Sequence, residues 1–226
     1  MSELAVIVGA GPGLSASLAR LCAREGMRVV LAARNIAKLA ALAEETGAGV
    51  YACDASRRQD VDALFDAVLD AEGVPNLVVF NASGRVRGAV ADIDPEAVEQ
   101  AIAVSAYAGF LVARRAAMAM RERGSGSIQF TGASASVKGY AESACFAMGK
   151  FALRGLAQSM AREMAPKGIH VAHFVIDGGI ESDVRVPDRD EWLDPDAIAQ
   201  TYLHVHRQHR SAWTWEVELR PWVERF

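Results

Sequence analysis

The feature that most constrains this chain is a rhythm of six short apolar runs separated by amphipathic segments. The runs are LAVIV (4–8), MRVVLAA (27–33), AGVYACD (48–54), NLVVFNA (76–82), GSIQFTG (126–132) and IHVAHFVI (169–176). Helical spacing marks the stretches at about 13–25, 35–46, 57–71, 95–122 and 143–165 between them. Near-continuous Val, Ile and Leu belong to strands buried on both faces, and strands joined by crossover helices pair in parallel. The pattern predicts an α/β fold, a doubly wound parallel sheet in three layers with helices on both faces. Asp94-Pro95 and Asp194-Pro195 read as an N-cap followed by an N1 proline. A chain of 226 residues with short connections and no internal repeat is expected to be one domain, 1–226, with a short loop at about 181–194 and a Trp-rich tail at 211–226.

Composition narrows the partners. The formal charge of -4 with mixed signs along the helices carries no nucleic-acid footprint, and no run of like charge suits an anionic membrane. No apolar run is read as long enough to span a bilayer, and MSELAVIVGAG enters a strand without a basic leader. The three cysteines, Cys22, Cys53 and Cys145, are odd in number and widely spaced, which suits a reducing compartment. The expectation is a soluble cytoplasmic protein with neither nucleic acid nor membrane as partner.

The first turn carries the first chemistry. VIVGAGPGLSASLAR takes a buried strand into a helix through Gly9, Gly11 and Gly13. Such a turn brings backbone N–H groups at a helix N-terminus close to a pyrophosphate. A G-x-G-x-x-G pattern would place its third glycine at Leu14; the spacing here is Gly9-x-x-x-Gly13-x-Ser15, a different phosphate loop. The second strand runs into Ala33, Arg34 and Asn35. An acid here would hold the ribose hydroxyl of NAD, whereas arginine favours the extra phosphate of NADP. NADP is therefore the expected cofactor, with NAD as the alternative. Asp54, ending the third run and followed by Ala55, can accept from an adenine amino group or cap the helix beginning near Arg57, and the two can coexist.

With these pieces, FNASG (80–84) and the helix FAMGKFALRGLAQSMAREMAPKGIHV, the chain resembles the short-chain dehydrogenase/reductase family over nearly its whole length. The resemblance implies a Rossmann-like fold and a nucleotide site made by Gly9, Gly11, Gly13, Leu14, Ser15, Arg34, Asn35, Asp54, Ala55, Asn81, Ala82, Ser83, Lys150, Gly178 and Ile180. It also implies an active site built from a Tyr-x-x-x-Lys pair, a serine thirteen residues before the tyrosine, and an asparagine in the helix after strand four. The tyrosine exchanges the carbonyl proton, the lysine binds the nicotinamide ribose, and the serine positions the substrate oxygen.

This chain departs from that pattern where the chemistry is done. Lys150 is present, but Phe146 stands at the tyrosine position, Ala133 at the serine position with Ser134 beside it, and Ser105 at the asparagine position. Phenylalanine cannot transfer a proton. Asp177-Gly178 replaces the Pro-Gly usual after strand six, and the closing RSAWTWEVELRPWVERF is not the family's last strand and tail. Substitute donors near the same strand end are Ser134, Ser136, Lys138, Tyr140, Ser143 and Cys145, with Tyr140 and Ser134 ranked equal.

Elsewhere, the spacing of His204, His206 and His209 spreads them around a helix as surface residues, and no metal is expected. His170 and His173 read as structural, and Trp213, Trp215 and Trp222 as cover for a sheet edge or subunit contact. The apolar helices from Pro95 and Ser143 suit a homodimer or homotetramer. Two functions remain. One is an NADP-preferring oxidoreductase acting on a small apolar carbonyl, alcohol or activated alkene with a rearranged proton donor; the other is a non-catalytic NADP-binding sensor or subunit partner.

Overall fold

The computed structural model describes residues 2–181 and 191–224. The six apolar runs become β1 (Leu4–Val8), β2 (Arg28–Ala33), β3 (Gly49–Ala52), β4 (Leu77–Phe80), β5 (Gly126–Thr131) and β6 (Ile169–Ile176). β1, β4 and β6 are buried at every residue, which is why they carry apolar side chains on both faces. Three further strands follow, β7 (Gly179–Ile180), β8 (Trp192–Leu193) and β9 (Glu216–Leu219). The main sheet is parallel in the order β3-β2-β1-β4-β5-β6-β9, while β7 and β8 pair separately. This is the Rossmann-like three-layer architecture, and the chain reverses its direction of winding between β1 and β4.

Helices α1 (Leu14–Arg24), α2 (Ala40–Thr46), α3 (Arg58–Ala71), α4 (Pro95–Ile102), α5 (Ala108–Arg123), α6 (Ala144–Met164) and α7 (Pro195–His206) cover the two faces. On one face Phe65, Leu111, Met120 and Leu153 pack with Val6, Phe80 and Phe130. On the other, Leu18, Ile198 and Tyr202 pack with Ile7, Leu31 and Phe174. Each such side chain, taken out of water, contributes about 1.5–3 kcal/mol. α5 and α6 approach so closely that a Cβ on Gly109 would lie 2.4 Å from Leu153 Cδ1. Asp94 and Asp194 cap α4 and α7 as the sequence predicts, each accepting from the backbone N–H two residues on, with proline next.

Four expectations change. The tail does contain a last sheet strand: β9 pairs with β6, although EVEL shows the alternation of a half-exposed edge and not a buried run. The helix expected over 95–122 is interrupted by a single π turn, Ala103–Tyr107. That helix, Pro95–Arg123, is also long and apolar enough by composition to cross a membrane; half of its most apolar stretch is buried, as in a core helix. His206 is not a surface residue, for its largely buried ring lies 3.5 Å from Glu3. The first two tail tryptophans cover the edge as expected. Trp213 stacks on His170 with centroids 4.8 Å apart, Trp215 lies under Arg154, and Trp222 is 82% exposed. Most of the loop placed at 181–194 lies outside the described residues.

Candidate functional site

The reversal between β1 and β4 leaves a crevice at the C-terminal ends of the strands, the usual ligand position in open α/β sheets. A cleft of about 430 Å³ opens there, walled by the turns after β1, β2, β3 and β4. Its floor is backbone. Gly9 has φ +84°, and a Cβ on it would lie 2.4 Å from Ala82 N, so only glycine fits. Gly13 has φ +87° and begins α1, while no atom stands within 4 Å of a Cβ built on Gly11 or Gly13. Ser15 locks the turn: its hydroxyl donates to Gly9 O at 3.4 Å and accepts from Asn81 Nδ2 at 2.7 Å. Asn81 N donates in turn to Val8 O at 2.8 Å, so β1 and β4 present one surface. Leu14 is buried beneath it, and Ser83 lines the opening.

At the outer end, Arg34 and Asn35 are exposed on the cleft wall. Asn35 Oδ1 accepts from Ala37 N at 3.2 Å and so starts a 3₁₀ turn, Ile36–Leu39. Asp54 Oδ1 accepts from the Ser56 hydroxyl at 2.6 Å and from Ser56 N at 3.0 Å. Those bonds, with the Ser56 hydroxyl first and the charges of Arg34 and Arg57 adding, hold its carboxyl below the usual range. Asp54 does not cap α3, whose N-cap is Arg57; it forms the turn that brings Ala55, itself buried, to the cleft.

Beyond the residues that line this cleft, α6 and the turns after β4 and β5 bring together a second cluster of side chains. Phe146, Lys150 and Arg154 lie at i, i+4 and i+8 on one face of α6. Lys150 is 3% exposed and donates to Thr131 O at 2.7 Å. Loss of water, with the nearby charge of Arg85 adding, lowers its ammonium to about 8. Lys150 Nζ is 5.8 Å from the centroid of the Phe146 ring, and the Arg85 guanidinium carbon is 4.0 Å from the same centroid. Ser105 sits in the π turn, where its buried hydroxyl accepts from Gly84 N at 2.8 Å and donates to Gly84 O at 3.2 Å. Gly149 makes room for it, since a Cβ there would lie 2.8 Å from Ser105 Cβ.

The substitute donors separate. Ser134 opens the 3₁₀ turn Ser134–Ser136 and is half-buried. Tyr140 is 48% exposed, and the cation beside it is Lys138, 5.8 Å from its ring, not Lys150. Lys138 reaches the buried Asp177 at 3.5 Å, immediately before Gly178, whose φ of +153° and contact with Pro221 favour glycine. Ile180, in β7, pairs with Leu193. Cys145 is buried, and the Ser143 side chain caps no backbone group of α6.

Sequence reasoning missed a buried chain beneath this cluster. The Ser136 hydroxyl accepts from Ala133 N at 3.1 Å and lies 3.3 Å from His173 Nε2. His173 Nδ1 is 3.1 Å from Glu216, which also takes a two-pronged bond from Arg154 at 2.6 and 2.8 Å. Burial lowers His173 to about 4, so the ring is neutral, donating to Glu216 and accepting from Ser136. The helical spacing of Phe146, Lys150 and Arg154 was the available signal; the partners 37 to 62 residues away gave none.

Comparison with known proteins places this geometry. The sequence profile of the family described as short chain dehydrogenase matches residues 3–192. An uncharacterized oxidoreductase of Staphylococcus aureus strain MRSA252 is 26% identical over 228 residues, covering 97% of each chain. The crystal structure of a short-chain dehydrogenase from Rhodopseudomonas palustris is 35% identical, with a TM-score of 0.86 over 97% of this chain and 99% of that one. A metagenomic short-chain oxidoreductase crystallised in complex with NADP is 30% identical, with a TM-score of 0.86 over 98% of each chain.

Proposed function

The chain belongs to the short-chain dehydrogenase/reductase family, and from that premise we propose that it is an NADP-preferring oxidoreductase of a small apolar carbonyl, alcohol or activated alkene. The observation that carries this reading is the backbone floor of the cleft, where Gly9 admits no Cβ against Ala82 and Ser15 ties the turn to Asn81. A dinucleotide fits this cradle: Gly9 to Ser15 would meet the pyrophosphate, and Arg34 with Asn35 the adenosine phosphate. Asp54 and Ala55 would hold the adenine, Asn81 to Ser83 and Lys150 the nicotinamide ribose, and Gly178 and Ile180 the nicotinamide amide. Bound there, the nicotinamide supplies or takes up a hydride at a substrate carbon.

The chain's own residues decide where the proton goes. Lys150, anchored on Thr131 O, keeps a positive charge at the reacting end at neutral pH and is the buried proton source. Ser134 orients the substrate oxygen from the adjoining turn, and the rim group Tyr140, paired with Lys138, covers the opening. Phe146 excludes water and contributes no proton. Ser105 acts through the loop it clamps. A second reading, a non-catalytic NADP-binding sensor or subunit partner, is favoured by one observation: the ring of Phe146 is capped by Arg85 where a phenol would act.

The exposed Phe110, Met118, Met148 and Phe151 on α5 and α6 support a homodimer or homotetramer closed across that face, which light scattering at low micromolar concentration tests. The three free cysteines, all buried, support a cytoplasmic location within a single folded domain. The function itself is tested by titrating NADPH and NADH into the protein and then following cofactor oxidation with a panel of ketones, aldehydes and enones. Tight NADPH binding with turnover supports the oxidoreductase; tight binding without turnover moves the assignment to the sensor, and no binding removes both.

A further inference from the structure

The buried chain beneath the side-chain cluster has a direction, and one carboxylate sets it. Ala133 N donates to the Ser136 hydroxyl oxygen at 3.1 Å, and the hydroxyl proton is then free to go to His173 Nε2 at 3.3 Å. Nδ1 of the same ring faces Glu216 Oε2 at 3.1 Å. A neutral imidazole donates from one nitrogen and accepts at the other, and a carboxylate only accepts. Glu216 therefore fixes the ring proton on Nδ1 and leaves Nε2 as the acceptor that Ser136 requires. The order serine, histidine, carboxylate is that of a nucleophilic triad, yet Ser136 and His173 are both 0% exposed, so no substrate carbonyl reaches the hydroxyl. This chain holds its neighbours in place and attacks nothing.

Its neighbours are the two halves of the cluster. Thr131, the last residue of β5, offers its carbonyl to Lys150, and the turn that follows carries Ser134. That turn rests on the imidazole: Gly132 N donates to Phe174 O at 2.7 Å, and a Cβ on Gly132 would lie 2.4 Å from His173 Nε2. On the other side Glu216 takes both prongs of Arg154, at 2.6 and 2.8 Å, and Arg154 stands one helical turn beyond Lys150 on the same face of α6. The Trp215 ring lies 5.7 Å from the same guanidinium, and β9 pairs with β6 so that Glu216 stands opposite His173. We propose that Glu216 is a positioning residue of the reacting cluster: through Arg154 it sets the turn of α6 that carries Lys150, and through His173 and Ser136 it sets the turn that carries Ser134. This rests on the oxidoreductase reading above and adds that the tail strand β9 aligns the two groups acting there. The charges facing His173 are Glu216 from β9 and Lys150 and Arg154 from α6, and Arg85 faces Lys150 from the loop after β4. Without the Glu216 charge, Arg154 is an uncompensated cation one turn from Lys150, and a like charge disfavours the ammonium.

The test begins on the native protein, where ring-nitrogen NMR of His173 at neutral pH should show the proton on Nδ1; a proton on Nε2 would overturn the proposal. Glu216→Gln keeps the size of the side chain but leaves one acceptor oxygen for three donors. In that variant Lys150 should titrate below its native value in a lysine side-chain NMR titration of the nucleotide-free protein. With NADPH and a ketone, kcat should fall at least about tenfold while KM moves less than about threefold, the mark of misplaced groups and not of lost binding. Glu216→Asp, which keeps the charge, should recover part of both effects. Glu218→Gln, two residues along the same strand and paired with Arg220, should leave both at their native values. An unchanged kcat and Lys150 titration in Glu216→Gln, or equal losses in Glu218→Gln, would also overturn the proposal. If the native protein binds NADPH and reduces nothing, the oxidoreductase reading fails, and the His173 proton with the Lys150 titration still decides whether Glu216 positions the lysine.

Discussion

The nucleotide cleft and the side-chain cluster beyond it are made of different material. In the cleft, where we place the nucleotide, the surface is main chain: Gly9 and Gly13 at positive φ, a serine bonded back to its own turn, and Asn81 donating to β1. In the cluster proposed to carry the reaction it is side chain: a buried lysine, a phenylalanine face, an arginine over it and a serine hidden in a π turn. A main-chain site depends on what the sequence leaves out, chiefly Cβ atoms, and survives most substitutions around it. A side-chain site depends on which functional group each position carries, and a single oxygen decides it. On the reading proposed above, that asymmetry lets one part keep its family's form while the other is rebuilt.

The largest expected effect sharpens the contrast by returning one oxygen. Phe146→Tyr places a phenol beside Lys150, whose charge favours the phenolate, and should raise carbonyl reduction by about 10² to 10⁴, the range of a positioned acid. Ala133→Ser should add to the gain. Steady-state rates with a panel of ketones check this, and an unchanged rate would mean that the ring does not face the reacting atoms.

Next comes Lys150 itself. Its folded ammonium at about 8 lies below the unfolded value of 10.5, so between those limits the unfolded chain holds the extra proton. Stability of the nucleotide-free protein should therefore rise with pH across that window, by at most about 3 kcal/mol, and be level below it. Lys150→Met should remove the rise. Urea melts at pH 7.5 and 10 in both proteins measure it; the same slope in the variant would place the buried charge elsewhere.

The smallest effect belongs to the main-chain end, where side chains only tune. Arg34→Ala should cost about ten- to a hundredfold in NADPH affinity, the worth of one charge-assisted phosphate contact, and leave NADH unaltered. Calorimetry with both nucleotides decides it. Equal losses for the two would break the comparison, since the arginine would then be holding the fold of the site and not reading the phosphate.

The sequence made the fold legible to the extent that burial is written in it. Runs such as LVVF, apolar on both faces, have no other use than a central parallel strand, and Gly9-x-x-x-Gly13 after the first of them marks a backbone cradle. β9 was not legible, because an edge strand half in water alternates like a loop. Neither was the surrounding of Phe146 and Lys150 in the proposed reacting cluster. Arg85 belongs to no motif, and the bonds from Ser136 through His173 to Glu216 and Arg154 join four separate elements by approach in space alone. The absence of a hydroxyl at Phe146 could be read; what had moved in over the ring could not.

The π turn at Ala103–Tyr107 leaves one residue too many for an unbroken helix. Each residue turns an α-helix by about 100°, so the extra one sets the phase of everything after it. Upstream of the turn, Ala101 backs against Gly84; downstream, Leu111 and Met120 face the core. Trimming any single residue here would heal the helix and swing one of those faces away. The helix therefore carries two registers at once, and a length change of one residue between Ala103 and Tyr107 should be tolerated far worse than most substitutions within it.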